Sequence, residues 1–355
     1  MINKESLTID WLKKTSAKFR NTDIILVEKT VRALYLLEGL VESSLEFVFK
    51  GGTALMLMQG ENPKRLSIDI DIILPKRPDN LAEILQNIAT KRTFTSVEER
   101  LRKVDYDITK AHYKFNFVPS FQTIKDAESS ILLDILFEEV PYQQVWEQNI
   151  DSPFLEIEGN PLKVKVPSFE DILGDKLTAY APNTTGIPYF KGKNQKPMGM
   201  EIIKQLYDVG QLCLEVKDLK TVKQVFEKVA IIELAYRKLA LSPEDVLEDI
   251  YQTSLCISLR GGDGKGNFEE LQKGIKRLEG YIISERLNIE IAIVQASKAA
   301  YMVKLLQKNE ENFIHYDKNI DLNLLEIKQP NNTKLNKLKR ILPEAFWYWH
   351  SALEL

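Results

Sequence analysis

Apolar residues recur at two spacings along this chain, and the change from one to the other near residue 167 predicts two domains. Residues 6–14 read as a short helix and 23–42 as a longer one, with Ile25, Val31, Leu34, Leu37 and Leu40 on a broad stripe and Asp23 placed as N-cap. In FVFKGGTALMLMQGENPKRLSIDIDIIL, residues 47–74, Phe47, Val48 and Phe49 favour a strand. Gly51 and Gly52 favour a turn, and 53–58 is a run of good helix formers. A second strand follows, with Ile68, Ile70 and Ile72 on one face and Asp69 and Asp71 on the other. Pro75 and Pro78 end it, and residues 80–90 read as an amphipathic helix. Tyr113, Phe115 and Phe117 alternate with Lys114 and Asn116, which predicts a strand at 111–118 exposed on one face. Residues 130–138, SILLDILFE, are nearly all apolar, as in an interior strand, yet carry Asp134.

KVKV at 163–166 is a last short strand, after which Pro167 and Ser168 break into helix, Ser168 capping with Asp171 at the third position. Helical patterns then fill 168–181, 199–215, 219–239, 243–258, 267–284, 288–308 and 333–354. Strands alternating with helices give way to helices alone. The expected fold is α+β: a mixed-sheet domain at 1–167 and an all-helical domain at 168–355.

Composition narrows the function classes without choosing one. The chain has 355 residues, 44% apolar and 28% charged, enough for two domains with buried cores. Its net charge of −3 means that any nucleic-acid contact must come from local basic patches. Two distant cysteines, Cys213 and Cys256, suggest neither a disulfide framework nor a zinc site. His112, His315 and His350 lack metal-ligand spacing and are assigned no chemistry. No apolar run is long enough to span a membrane and no signal peptide is evident, so a cytoplasmic protein is expected.

Chemistry concentrates in residues 47–74. A helix start after two glycines presents unpaired N–H groups and positive dipole, which suits a triphosphate. Two carboxylates one residue apart repel each other, and a divalent cation is a reason to keep them on an isoleucine-rich strand. Mg2+ prefers oxygen ligands and lets a substrate phosphate complete its shell. Asp134 sits alone in an apolar strand and needs a partner, either a nearby lysine or the same cation.

Gly52-Thr53 followed by Asp69-Ile-Asp71 resembles the glycine-plus-DxD signature of the nucleotidyltransferase superfamily. The wider wording, KGGTAL then RLSIDIDIIL, resembles the AbiEii toxins of bacterial type IV toxin-antitoxin systems. That resemblance implies a polymerase-beta-like fold in which Asp69, Asp71 and a third acid hold one or two Mg2+ ions. Asp134 is the third acid, with Glu138 and Glu139 as nearby alternatives. It also implies nucleotide contacts from Lys50, Gly51, Gly52, Thr53 and Ser67. Lys176 lies where the family has a D-K-x-x-A lysine, and Asp208 where it has the second acid of K-D-x-x-D-L. Gln205 and Val209 depart from that second element. Lys204 and Asp208, at i and i+4, can also pair across a helical turn.

The implied reaction moves a nucleoside monophosphate from an NTP to an acceptor hydroxyl. The resemblance favours the 3′ end of tRNA, with a small-molecule acceptor or a nucleotide-binding module without turnover as the alternatives. An antitoxin encoded nearby, with no obligatory contact to the toxin, is implied as well. Lys191, Lys193 and Lys196, beside Tyr189 and Phe190, form a basic, aromatic loop that could meet nucleic acid or be a solvated connection. RGGDGKGN at 260–267 lacks phosphate-loop spacing and reads as a helix connection. Trp347, Tyr348 and Trp349 read as packing the last helix onto its own domain, a role in stacking RNA being the alternative.

Overall fold

The computed structural model of the protein describes residues 1–43, 45–100, 110–121 and 128–355. They divide into two compact units, Met1–Ser168 with Gly280–Arg286, and Phe169–Glu279 with Leu287–Leu355.

In the first unit, helices α1 (Ile9–Lys18) and α2 (Ile24–Glu42) precede strand β1 (Val48–Lys50), helix α3 (Gly51–Met58), strand β2 (Ile70–Ile73) and helix α4 (Leu81–Lys91). Strands β3 (Ser96–Glu99), β4 (Lys110–Phe117), β5 (Ser129–Leu136), β6 (Val145–Asn149) and β7 (Lys163–Pro167) follow. The α1 helix begins later than expected because the Thr8 hydroxyl caps it at Trp11 N–H, after a 3-10 turn at Lys4–Leu7. Asp23 caps α2 as expected, accepting from Ile25 N–H.

Five strands make one mixed sheet in the order β1-β2-β5-β4-β3, in which only the β2–β5 pair is parallel. One sheet face is apolar: Ile70 and Ile72 stand in register with Leu133 and Ile135, and all four are buried. With Phe49, Phe115 and the α2 residues Val31, Leu34 and Leu37 they build the core. Side chains one residue out of step along these strands therefore take the other face. Asn116 corrects the expected exposed face of β4: it is buried and donates to Ser96 Oγ and Glu98 Oε1, at 2.8 Å each. Both acceptors come from β3, which the sequence did not predict.

The second unit contains helix α5 (Phe169–Ala179), hairpin strands β8 (Phe190–Lys191) and β9 (Lys196–Pro197), and helices α6 (Gly199–Leu212), α7 (Leu219–Tyr236) and α8 (Pro243–Ser258). Helices α9 (Phe268–Leu278), α10 (Ile289–Lys308), α11 (Leu338–Ile341) and α12 (Pro343–Glu354) complete it. Two expected helices differ. The one at 267–284 ends at Leu278, because Gly280–Arg286 belongs to the first unit, where Arg65 and Ile282 form a bridge and Leu66 N–H donates to Tyr281 O at 2.8 Å. The one at 333–354 is split at Leu342, whose backbone leaves the helical region, as a following Pro343 favours.

Trp347, Tyr348 and Trp349 are buried, and Trp349 Nε1 donates to Ser258 Oγ at 2.9 Å, so this cluster packs its own unit. Residues 260–267 join α8 to α9 as expected. Cys213 and Cys256 are free and buried. Among the described residues, no helix is long and apolar enough to cross a membrane.

Candidate active site

The polar face of the sheet carries a row of charged and polar residues, one from each of β1, β2, β5 and β4. Lys50 on β1 is in register with Asp71 on β2, Asp71 with Asp134 on β5, and Asp134 with His112 on β4. Arg100, just past β3, continues the row by donating its N–H to His112 O at 2.6 Å. Adjacent strands lie about 4.8 Å apart, so register partners stand side by side on one face. Asp71 and Asp134 are thus immediate neighbours, while Glu138 and Glu139 lie beyond the end of β5. Asp69 precedes β2 by one residue and is half-buried.

His112, to which the sequence assigned nothing, holds Asp134: its Nδ1 is 2.6 Å from Oδ1. A carboxylate oxygen accepts, so Nδ1 is the donor. Asp134 and His112 lie far apart in sequence, and only their pairing across β4 and β5 brings them together.

At the glycine corner the structure changes what the two glycines do. A Cβ on Gly51 would lie 2.2 Å from Asp71 Oδ2, and one on Gly52 would lie 2.4 Å from Arg65 Nη2 and 2.9 Å from Ser67 Oγ. The missing side chains therefore let this chain's own carboxylate, guanidinium and hydroxyl close on the start of α3. Arg65 is buried, donates Nη1 to Leu66 O at 3.0 Å, and was not anticipated, because its contact with Gly52 is not encoded in local spacing. Ser67 is buried beside it. Thr53 donates its hydroxyl to the main-chain oxygen of Asp69 at 2.5 Å, tying α3 to the residue before β2. A hydroxyl has one proton, so Thr53 can offer a phosphate its backbone N–H but not that side-chain proton. Lys50 lies 5.8 Å from the Tyr142 ring centre.

In the second unit, Lys176 on α5 is buried and pairs with Asp208 on α6 at 2.7 Å, so it is not a solvated surface lysine. Its ammonium also donates to Gln205 Oε1 at 3.1 Å, so the departure at that position keeps an oxygen acceptor. Lys204 reaches Glu201 at 2.9 Å, and Lys176 is a partner of Asp208 from another helix. The loop carrying Lys191, Lys193 and Lys196 is an exposed β-hairpin rather than an irregular connection. Tyr189 is half-buried at its root, and burial pushes its hydroxyl up to about 12.

The donors in the first unit are of the type Mg2+ takes, carboxylate oxygens. Among the described residues, no three His, Cys, Asp or Glu groups form a cluster that could hold a metal ion. Mg2+ is commonly held by one or two carboxylates plus substrate phosphates, and Asp69 and Asp71 suit that arrangement.

Comparison with known proteins gives the chain a place. No curated protein matches it. Among solved structures it is similar to JHP933 from Helicobacter pylori, with 16% identity, 80% of this chain and 91% of that one covered and a TM-score of 0.40. It is also similar to MenT4, a nucleotidyltransferase toxin from Mycobacterium tuberculosis, with 11% identity, 96% and 99% coverage and a TM-score of 0.45. The family model described as "Nucleotidyl transferase AbiEii toxin, Type IV TA system" matches residues 33–261. That match takes in more than half of the 355 residues, including β1, α3, β2, β5, α5 and α6, and the chain belongs to the AbiEii family of nucleotidyltransferase toxins.

Proposed function

We propose that the protein transfers a nucleoside monophosphate from an NTP to the 3′ end of tRNA, with Mg2+ held at Asp69 and Asp71. The observation that carries this reading is the register of β2 and β5, which sets Asp71 beside Asp134, with Asp71 also against the start of α3. Like charges directly side by side destabilise a sheet, and a divalent cation would relieve that repulsion. The positive end of α3 beside it suits a polyphosphate.

When bound, Mg2+ supplies charge neutralisation on the phosphates and makes the acceptor hydroxyl more acidic. Asp69 and Asp71 would hold it, with Asp134 beside them as the register neighbour of Asp71. The Gly51, Gly52 and Thr53 backbone, the Arg65 guanidinium and the Ser67 hydroxyl bind the β- and γ-phosphates. Lys50 is proposed as a further phosphate contact. The acceptor oxygen bonds to the α-phosphorus in line as the bond to the β-bridging oxygen breaks. Pyrophosphate leaves, and the hydroxyl proton passes to solvent.

The tRNA acceptor rests on the family resemblance, supported by the lysine hairpin with its exposed Phe190. An antitoxin encoded nearby, acting without obligatory contact, completes the proposed system. The test incubates purified protein with total tRNA and each α-labelled NTP. Label should appear on RNA and vanish in the double variant Asp69→Ala, Asp71→Ala while its circular dichroism is unchanged. Label on small molecules alone, no label at all, or label surviving in the double variant overturns the reading.

A further inference from the structure

In the second unit a groove of about 330 Å3 runs between the end of α8, α10 and α11. Its wall is aliphatic: Leu259, Ile293, Leu338 and Leu342, with Ile341 65% exposed. Arg260, Lys334 and Lys337 line it as well, and the sequence from Ile327 to Pro343 carries five cations and no acid. A 3-10 turn, Leu322–Leu324, ends at Leu324, which at 83% is the most exposed large apolar side chain among the described residues. Asp321 and Glu326 flank it. The segment that follows is tied to the groove: Lys339 donates its ammonium to Leu325 O, and Asn336 is bonded to the Ile327 backbone at 3.0 and 2.8 Å. Leu324 therefore stands close to its own groove and outside it.

We propose that two copies of this chain pair through this face, Leu324 of each copy entering the groove of the other.

Three arguments support a second copy as the occupant. A leucine held in water forfeits the stabilisation that an aliphatic groove offers it. The acids beside Leu324 are opposite in sign to the cations lining the groove, so the two surfaces attract and orient each other. Finally, the projecting leucine and the groove belong to one hydrogen-bonded segment. A two-fold axis then gives the pair two identical contacts and closes the assembly at two copies. RNA fits the face less well. The cations would attract phosphates, but among the described residues no aromatic ring lines the groove on which a base could stack.

The experiment is sedimentation equilibrium on the full chain. The mass should rise from 40.9 kDa toward twice that value over a dilution series reaching about 0.5 mM, where a dimer with a dissociation constant of about 1 mM still registers. Leu324→Ser and Ile341→Ser, both at exposed positions, should each weaken pairing about tenfold or more with unchanged circular dichroism. Each variant alone has lost both contacts. A mixture of the two keeps one intact, the leucine of the Ile341→Ser chain in the groove of the Leu324→Ser chain, and should associate more tightly than either variant by itself. Raised salt should weaken the wild-type pair.

Crosslinking locates the contact. Leu324→Cys mixed with Ile341→Cys should form an intermolecular disulfide faster than either variant alone, and the native Cys213 and Cys256 are buried. A mass of 40.9 kDa throughout, a serine mixture no tighter than its parts, or crosslinking as fast in a single cysteine variant overturns the proposal. A mass that climbs past two copies shows an open head-to-tail chain and overturns the closed pair. A chain that stays monomeric, and in which Lys334→Gln with Lys337→Gln lowers retention of total tRNA on a filter, gives the face to RNA instead.

Discussion

A methyl group at Gly51 would meet Asp71 Oδ2 at 2.2 Å, and the backbone there has a φ of 80°, where a side chain is strained by about 1–2 kcal/mol. Gly51→Ala should therefore push the Asp71 carboxylate aside and lower nucleotidyl transfer about a hundredfold, with only a small change in melting temperature. Transfer rates and thermal melts on the same sample check this, and unchanged transfer would remove Gly51 from the site. At this scale the sequence was informative wherever spacing sufficed. Asp69 and Asp71 stood out because acids alternate with isoleucines there, although Asp69 lies one residue before β2. Arg65 against Gly52, the Thr53 hydroxyl on Asp69 O and His112 on Asp134 were not legible, because each contact joins groups from different parts of the chain.

At the scale of elements, Lys176 on α5 and Asp208 on α6 join two helices by a buried ion pair at 2.7 Å. Removing one member of such a pair typically costs about 3–5 kcal/mol, because the other charge stays in a poorly solvated place. Lys176→Ala should lose that much in urea unfolding. The double variant Lys176→Ala, Asp208→Ala should lose clearly less than the sum of the two single losses, and strict additivity would show that the pair is not coupled. The long helices were legible to within a few residues because each has an apolar stripe of its own. Strands β3 and β6 were not: SVEE and VWEQN are largely solvent-facing, so no alternation marks them. The break at Pro343 had a local signal, which the strong helical pattern on either side overrode.

For the whole molecule, a net charge of −3 leaves RNA recognition to local groups, and the β8–β9 hairpin presents Lys191, Lys193 and Lys196 with no acid between Lys176 and Met200. Replacing the three lysines by glutamine should raise the apparent KM for an RNA acceptor about tenfold while leaving the KM for NTP unchanged. The slope of binding against salt concentration should shrink by about two, as expected for three lost phosphate contacts. An unaltered slope would assign the hairpin to a role apart from RNA. No sequence pattern indicated that Gly280–Arg286 would return to the first unit from within a helical stretch, since its partners Lys64, Arg65 and Leu66 lie more than 200 residues earlier.

The sequence by itself determined which segments are strands and helices in the apolar parts of the chain, that a mainly helical region follows the mixed sheet, and that Asp69 and Asp71 are separated by one residue shortly after a glycine-opened helix. These follow from periodicities of two and 3.6 residues that the backbone imposes locally. Tertiary structure alone decided that Asp134 is the neighbour of Asp71, that His112 holds Asp134, that Arg65 closes on Gly52 and that Lys176 finds Asp208. Strand order and helix pairing are chosen by burial summed over a whole core, and no local stretch of residues carries that sum.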